Sequence, residues 1–207
     1  MNAGGAAWRF TSTYVTLPRD NVDTDQIIPA RFLTTTDREG LGPKAFFDWR
    51  YLADGAPNPD FMLNAPSARG AEVLVAGHNF ACGSSREHAV WALAGAGFRV
   101  VISSAFADIF RGNALGNGLL PVQVSPAVLA RLMADDSSDA RVGVDLEAGT
   151  LSLPDGELVP FSIPPFSRYC LLNNTNEMQF LLDAAADVDT YDRRHSPTID
   201  TRALETS

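Results

Sequence analysis

The sequence has no surplus of basic residues. Its 207 residues carry 16 Lys+Arg against 25 Asp+Glu, a formal net charge of −9 at pH 7. A protein that coats nucleic acid or an anionic membrane needs a basic surface, so we predict neither as a partner. No apolar run approaches the roughly 20 residues that span a bilayer, and residues 1–7 are too short and too glycine-rich for a signal peptide. We therefore expect a cytoplasmic protein.

Cysteine and histidine are also scarce. The two cysteines, Cys82 and Cys170, lie far apart in sequence and form no disulfide framework. The spacings of the two cysteines and the three histidines match no zinc site. An iron–sulfur cluster is held by about three or four thiolates, so we predict that this chain binds no metal ion and no cluster of its own.

Alternating strands and helices dominate the middle of the chain. The residue patterns predict strands at 10–17, 72–76, 100–103 and 119–124, with helices at 85–96 and 105–115. Such alternation indicates parallel strands with helical crossovers, an α/β fold. Further along, the patterns predict a helix at 126–133, a hairpin at 141–147 and 150–153, a strand at 158–163 and a helix at 177–186.

The remaining segments have few periodic apolar positions. We predict one domain over residues 1–190, interrupted by a long loop excursion at about 34–70 with one or two helical turns near 43–49. A polar C-terminal tail is expected over residues 191–207.

The chemistry concentrates where a buried strand meets a helix, at residues 77–88. Parallel α/β sheets place ligands at the carboxyl ends of their strands, and a helix N-terminus favours an anion there. Ser84 and Ser85 offer hydroxyls, and Arg86 offers a planar fork that fits a carboxylate. We interpret this segment as an anion-binding loop.

Structural alternatives exist for the same residues. Ser84 and Glu87 fit a capping box, with Ser84 as N-cap and Glu87 at the third helical position. Cys82 could be a nucleophile paired with His88, or a small buried thiol. His78 could be an acid or base, or a loop histidine bonded to the backbone.

A second segment, residues 20–25, is dense in Asp and Asn, which form local turns. Ile27 and Ile28 follow directly and would anchor these turns against a core, as a rigid site requires.

Five segments resemble the small subunits of bacterial 3-isopropylmalate dehydratases, in the aconitase superfamily. The resemblance lies in residues 23–33, 46–51, 82–89, 105–110 and 168–173, in the same order along the chain up to about residue 190. It implies a three-layer β/β/α swivelling domain.

The resemblance also implies an activity. The enzyme isomerises 2-isopropylmalate to 3-isopropylmalate by dehydration and rehydration in leucine biosynthesis, as a hetero-oligomer whose separate large subunit carries a [4Fe–4S] cluster. By position in the motifs, Ser84 removes the carbon-bound proton, and Ser85 and Arg86 bind a substrate carboxylate. The remaining substrate-binding positions are Thr24, Asp25, Leu33 and Thr34.

One departure bears on the substrate. The bacterial enzymes commonly carry Lys after the Phe-Leu pair, where this chain has three threonines at residues 34–36. Methylmalate, dimethylmalate, citraconate or maleate therefore stand as alternative substrates. Two other classes stay open, a non-catalytic anion-binding module and a cysteine-dependent enzyme using Cys82.

Overall fold

The computed structural model describes residues 8–34, 37–83, 86–135 and 139–195. Within these residues the strands are β1 (Arg9–Leu17), β2 (Val73–Ala76), β3 (Val100–Ser103), β4 (Leu120–Gln123), β5 (Arg141–Asp145), β6 (Thr150–Ser152) and β7 (Leu158–Pro160). They form one mixed sheet in the order β4-β3-β2-β1-β5-β6-β7.

Strand β1 belongs to both halves of this sheet. Its first part, residues 9–13, pairs antiparallel with β5, and its last part, residues 14–17, pairs parallel with β2. The strands β2, β3 and β4 continue the parallel half, and β6 and β7 continue the antiparallel half. One nine-residue strand therefore carries the chain from one type of pairing to the other.

The two halves have different burial patterns. Every residue of β2 and β3 is buried, as expected for parallel strands covered on both faces. In β5, buried and partly exposed residues alternate, which is the pattern of a strand with one face on the core. The sheet therefore has its fully buried half where the predicted crossover helices lie.

Eight α-helices occur among the described residues. They are α1 (Thr24–Ile27), α2 (Phe47–Arg50), α3 (Glu87–Gly95), α4 (Asp108–Gly116), α5 (Pro126–Ala134), α6 (Pro165–Asn173), α7 (Glu177–Asp183) and α8 (Ala185–Arg194). Short 3₁₀ turns occupy Ala30–Phe32, Gly42–Lys44, Met62–Asn64 and Pro66–Ala68.

Two apolar clusters lie on opposite faces of the parallel strands, because side chains along a strand alternate between faces. Leu74 and Ala76 join a cluster with residues of α1, α3 and α4, whereas Val73 and Val75 join a cluster with β5, β6 and α5. The first cluster separates sheet from helices, and the second separates the two halves of the sheet. This arrangement agrees with the predicted β/β/α layers.

The excursion between residues 34 and 70 packs against the helical layer. Phe46 is fully buried although its φ is 54°, and its N–H donates to the carbonyl of Ile27 (2.7 Å). A left-handed conformation costs a non-glycine residue about 1–2 kcal/mol, which is similar to what burying a phenylalanine contributes. Gly42 lies so close to Gly95 that a Cβ at Gly42 would come within 2.1 Å of the Gly95 carbonyl oxygen. This contact joins the excursion to the end of α3.

The predicted strands and the hairpin are confirmed, except that the last strand ends at Pro160 rather than at residue 163, and several helix boundaries are wrong. Helix α4 begins at Asp108 rather than at residue 105, because a parallel bridge between Phe80 and Phe106 keeps that segment extended. Helices α6 and α8 were not predicted.

The chain divides into two compact units, with the boundary between Asn174 and Thr175. The second unit contains α7 and α8, and α8 covers the first residues of the predicted tail. The single domain over 1–190 stays a prediction. Across the described ranges, we find no helix with the length and apolar character that crossing a membrane requires.

Candidate active site at the carboxyl ends of the parallel strands

Two loops run side by side beyond the ends of β1 and β2. We call residues 18–23 the first site loop and residues 77–83 the second site loop. Four backbone hydrogen bonds of 2.8–3.1 Å join the second loop to the first loop and to the residues that flank it, Leu17 and Thr24. They run from Gly77 N to Leu17 O, from Asn21 N to His78 O, from Cys82 N to Val22 O and from Thr24 N to Cys82 O. Asp23 and Cys82 form a parallel bridge. The two loops therefore continue the β1–β2 pairing past the strands.

The second loop also bonds to the neighbouring strand. The Phe80 N–H donates to the carbonyl of Ala105 (3.0 Å). The Ser103 hydroxyl, fully buried at the end of β3, donates to the Gly77 carbonyl (2.6 Å). Segments on both sides thus hold the second loop in place.

The path of these loops requires unusual backbone conformations. Asn21, Asn79 and Ala81 have φ values of 54°, 57° and 59°, and Gly83 has a φ of 87°. Asparagine and glycine adopt this region readily, but alanine does so at a cost. Ala81 is fully buried, so the surrounding core maintains a conformation that the isolated loop would disfavour.

Helix α1 begins with a capping box. The Gln26 N–H donates to the Asp23 carboxylate (2.8 Å), and the Asp23 N–H donates to the Gln26 side chain (3.0 Å). We did not identify this box from the sequence, although Asp followed three residues later by Gln is its signature. Thr24 is buried (2% exposed) in the first position of the helix, and Asp25 follows it towards solvent.

The structure brings two predicted site residues together. A guanidinium nitrogen of Arg86 lies 2.5 Å from Asp25 Oδ1, and the two side chains are 28% and 55% exposed. The pair connects the start of α3 to α1, whose own position is fixed by the first loop. Arg86 has five N–H donors, so one bond to Asp25 leaves donors for an anionic ligand.

Ser84 and Ser85 lie outside the described residues. The structure does place their neighbours. Gly83 lies beside Asp23, since a Cβ built at Gly83 would be 3.5 Å from the Asp23 Cβ. Arg86 is the N-cap residue of α3 and has an extended backbone. The predicted capping box is wrong, because α3 begins at Glu87 and puts that residue at the first helical position rather than the third.

Glu87 has a different partner from the predicted one. The side-chain amide of Asn117 donates to the Glu87 carboxylate (3.1 Å) and accepts from the indole N–H of Trp91 (2.9 Å). The first turn of α3 is thereby tied to the end of α4. Sequence reasoning did not find Asn117, since no local pattern links it to residues 26 and 30 positions away.

Leu33 and Thr34 lie at the end of the Ala30–Phe32 turn. The Leu33 N–H donates to the Ala30 carbonyl (3.1 Å), and the Leu33 side chain packs against the helical-layer cluster. Nearby, Arg31 forms an ion pair with Asp48 of α2, and its hydrogen bond holds the pKa of the Asp48 carboxyl below its ordinary value. No hydrogen bond among the described residues joins Leu33 or Thr34 to the Arg86–Asp25 pair.

Cys82 and His78 differ from expectation. Cys82, for which a small buried thiol was one of the two alternatives, is partly exposed, and its backbone bonds to Val22 and Thr24. His78 was expected to bond to the backbone, but its ring nitrogen Nδ1 lies 3.0 Å from the Ser104 hydroxyl. Within the part of the chain that the structure describes, no group of three or more His, Cys, Asp or Glu is arranged to hold a metal ion.

Comparison with known proteins first defines the class. Residues 9–127, more than half of the chain, match the family of aconitase C-terminal domains. The chain is therefore an aconitase-type swivelling domain, and the predicted three-layer β/β/α fold is confirmed.

Individual relatives narrow this class. The 3-isopropylmalate dehydratase small subunit of Anaeromyxobacter dehalogenans (strain 2CP-C) is 59% identical over 181 residues, which cover 87% of this chain and 94% of that protein. The corresponding protein of a Roseiflexus species (strain RS-1) is 51% identical over 195 residues, covering 93% and 96%. A crystal structure of 3-isopropylmalate dehydratase from Methanocaldococcus jannaschii superposes with a TM-score of 0.64 at 26% identity, covering 88% of this chain and 99% of that one. The chain belongs to the family of 3-isopropylmalate dehydratase small subunits.

Proposed function

We propose that this chain is the small subunit of a hydro-lyase that interconverts 2-isopropylmalate and 3-isopropylmalate by dehydration and rehydration, in the branched-chain pathway to leucine. The similarity to named small subunits over nearly the whole chain carries this proposal. The geometry supports it, since an arginine with spare donors stands at the carboxyl ends of parallel strands, where α/β proteins bind ligands.

Arg86 and Ser85 are proposed to bind a substrate carboxylate. The guanidinium forms paired bonds to a carboxylate, and Asp25 fixes one of its nitrogens while leaving the others available. The capping box fixes α1, and the ion pair with Asp25 orients Arg86 before substrate arrives, so little ordering of these two side chains is left for the binding step.

Ser84 is proposed to remove the carbon-bound proton. A serine hydroxyl is a weak base in water, and its alkoxide needs positive charge nearby. Arg86 supplies such charge two residues away, and the N–H groups at the start of α3 supply more. The proton returns from Ser84 in the hydration half of the reaction.

The remaining predicted residues are proposed to shape the site. Thr24 is buried and holds the second loop through its backbone, so its contribution to substrate binding is positional. Leu33 and Thr34 are proposed to lie near the alkyl group of the substrate, with Leu33 supported by the core behind it.

A large subunit is proposed to complete the site. The iron–sulfur cluster that the family implies does not fit this chain, which has two free cysteines, one of them buried, whereas a cluster takes about three or four thiolates. We assign the cluster to the large subunit. The reducing cytoplasm, in which cysteines stay unpaired, is the proposed location.

Substitution of Ser84 tests the catalytic proposal. With the large subunit present, Ser84→Ala should lower kcat by about 10²–10⁴-fold, the range for loss of an acid–base group, while the two subunits still associate. Ser67→Ala, at an exposed serine in a 3₁₀ turn, is the matched control and should keep full turnover. Retained activity in Ser84→Ala would show that another group takes the proton.

Two further measurements separate the alternatives. Loss of turnover in Cys82→Ser would instead favour a cysteine-dependent enzyme. Turnover by the reconstituted pair across a panel of alkylmalates tests the substrate, and a preference for citraconate or dimethylmalate over isopropylmalate would contradict the one proposed.

A further inference from the structure

A cleft of about 350 Å³ lies beside the two site loops. Helix α5 and the loop after β1 line one part of it with apolar side chains, namely Pro18, Pro126, Leu129 and Met133. The ends of β2 and β3 line the other part with His78 and Ser104, and Asp20 contributes a carboxylate. The cleft therefore combines an apolar wall with a polar rim.

The polar rim is ordered by hydrogen bonds. Asp20 Oδ1 accepts from the His78 N–H (2.7 Å). The Oδ2 atom forms no hydrogen bond with the described residues. The His78 ring bonds through Nδ1 to Ser104 (3.0 Å), which leaves the second ring nitrogen for a ligand. One carboxylate oxygen and one ring nitrogen are thus held in fixed positions at the cleft.

The cleft is separate from the proposed catalytic groups but shares their edge of the sheet. Asp20 belongs to the first site loop and His78 to the second, whereas Asp25 and Arg86 lie beyond these loops, in α1 and at the start of α3. Any chain that approaches this edge to complete the site also comes close to the cleft.

We propose that the cleft receives an apolar side chain of the large subunit, flanked in that subunit by a basic residue. This inference rests on the proposed function, which requires a second chain at this edge. The apolar wall would pack against an apolar side chain of the partner. The Asp20 carboxylate would pair with the basic residue beside it, because charge pairs at the rim of an interface steer association.

A pair of tryptophan variants tests the apolar wall. Ala130 is exposed on α5 and lines the cleft, whereas Ala127 is exposed on the same helix outside the lining. Ala130→Trp should fill the cleft and weaken binding of the purified large subunit by about tenfold or more, as losses at interface anchors do. Ala127→Trp should bind as wild type does. At saturating large subunit, kcat of both variants should equal that of wild type.

A pair of charge variants tests the rim. Asp20→Asn keeps the acceptor for the His78 N–H and removes the charge. It should weaken binding about threefold and reduce its dependence on salt concentration. Asp139→Asn removes the same charge beside Glu72, at the opposite end of β2, and should leave binding unchanged. This pair also carries the test if Ala130→Trp does not fold, as judged by circular dichroism.

The outcomes distinguish a failure of the docking proposal from a failure of the proposed function. Wild-type binding by both Ala130→Trp and Asp20→Asn would overturn the docking proposal alone. A change in self-association of the small subunit, with unchanged binding to the large one, would also overturn it, since the occupant would then be a second copy. A wild-type chain without affinity for the large subunit would overturn the proposed function, and the docking proposal with it.

Discussion

Gly77 is the position where the structure makes the sharpest prediction about the site. It lies at the end of β2, and its N–H donates to the Leu17 carbonyl (3.1 Å). A Cβ at this position would lie 2.3 Å from the carbonyl oxygen of Arg19 and 2.5 Å from Asp20 Oδ1. Ordinary contact begins near 3.4 Å, so Gly77→Ala must push the first site loop away by about 1 Å.

The expected cost has two parts. Overpacking against backbone costs about 1–3 kcal/mol. The displaced loop also weakens the hydrogen bonds that Asp20 and Asn21 form with His78, each worth about 0.5–1.5 kcal/mol. Because these parts overlap, we expect the free energy of unfolding to fall by about 2–4 kcal/mol. A shift of this size at the site should also reduce kcat/KM by up to about 100-fold.

Urea unfolding and turnover with the large subunit measure the two effects. Gly112→Ala is the matched control, because a Cβ at Gly112, inside α4, meets no atom within 4 Å. It should stabilise the protein by about 0.5–1 kcal/mol through helix propensity. If Gly77→Ala unfolds at the wild-type urea concentration, the close approach of the two loops does not hold the site as described.

Two other predictions concern single side chains. Asp25→Asn should lower kcat/KM about tenfold, because Arg86 loses the carboxylate that orients it. The free energy of unfolding should change by less than about 1 kcal/mol, because both side chains are partly exposed. A wild-type kcat/KM in steady-state kinetics would contradict this prediction. Burial and the nearby Asp135 carboxylate raise the pKa of Tyr14 to about 12. Since the ordinary pKa of an unfolded tyrosine is near 10.0, the stability from Tyr14 should be present below pH 10 and disappear between pH 10 and 12. Unfolding of wild type and Tyr14→Phe across this range should show that loss in wild type alone.

The sheet was predictable because each of its halves has a local pattern. Continuous apolar runs indicated β2 and β3, and alternation with a Pro-Asp-Gly turn indicated the strands after residue 141. The double role of β1 was not predictable, since nothing within residues 9–17 shows that one strand pairs differently at its two ends.

The sequence predicts the residue types of the candidate site but not their arrangement. Arg86 and Asp25 are both predicted site residues, but their pairing was not predictable because it joins positions 61 apart in sequence. The start of α3 was placed too early because the Ser84–Glu87 spacing fits a cap. The bridge at Cys82 and the extended backbone of Arg86 instead delay the first helical turn.

The ladder of backbone bonds between the two site loops limits how this enzyme family can be re-engineered. Residues 17–24 and 77–82 are joined by these bonds into one unit, with Ala81 held in a conformation that its neighbours impose. Grafting either segment alone from a relative with another substrate preference would separate partners that only fit each other. A chimera therefore has to exchange both segments together, so the unit of substitution is a pair of segments about 60 residues apart.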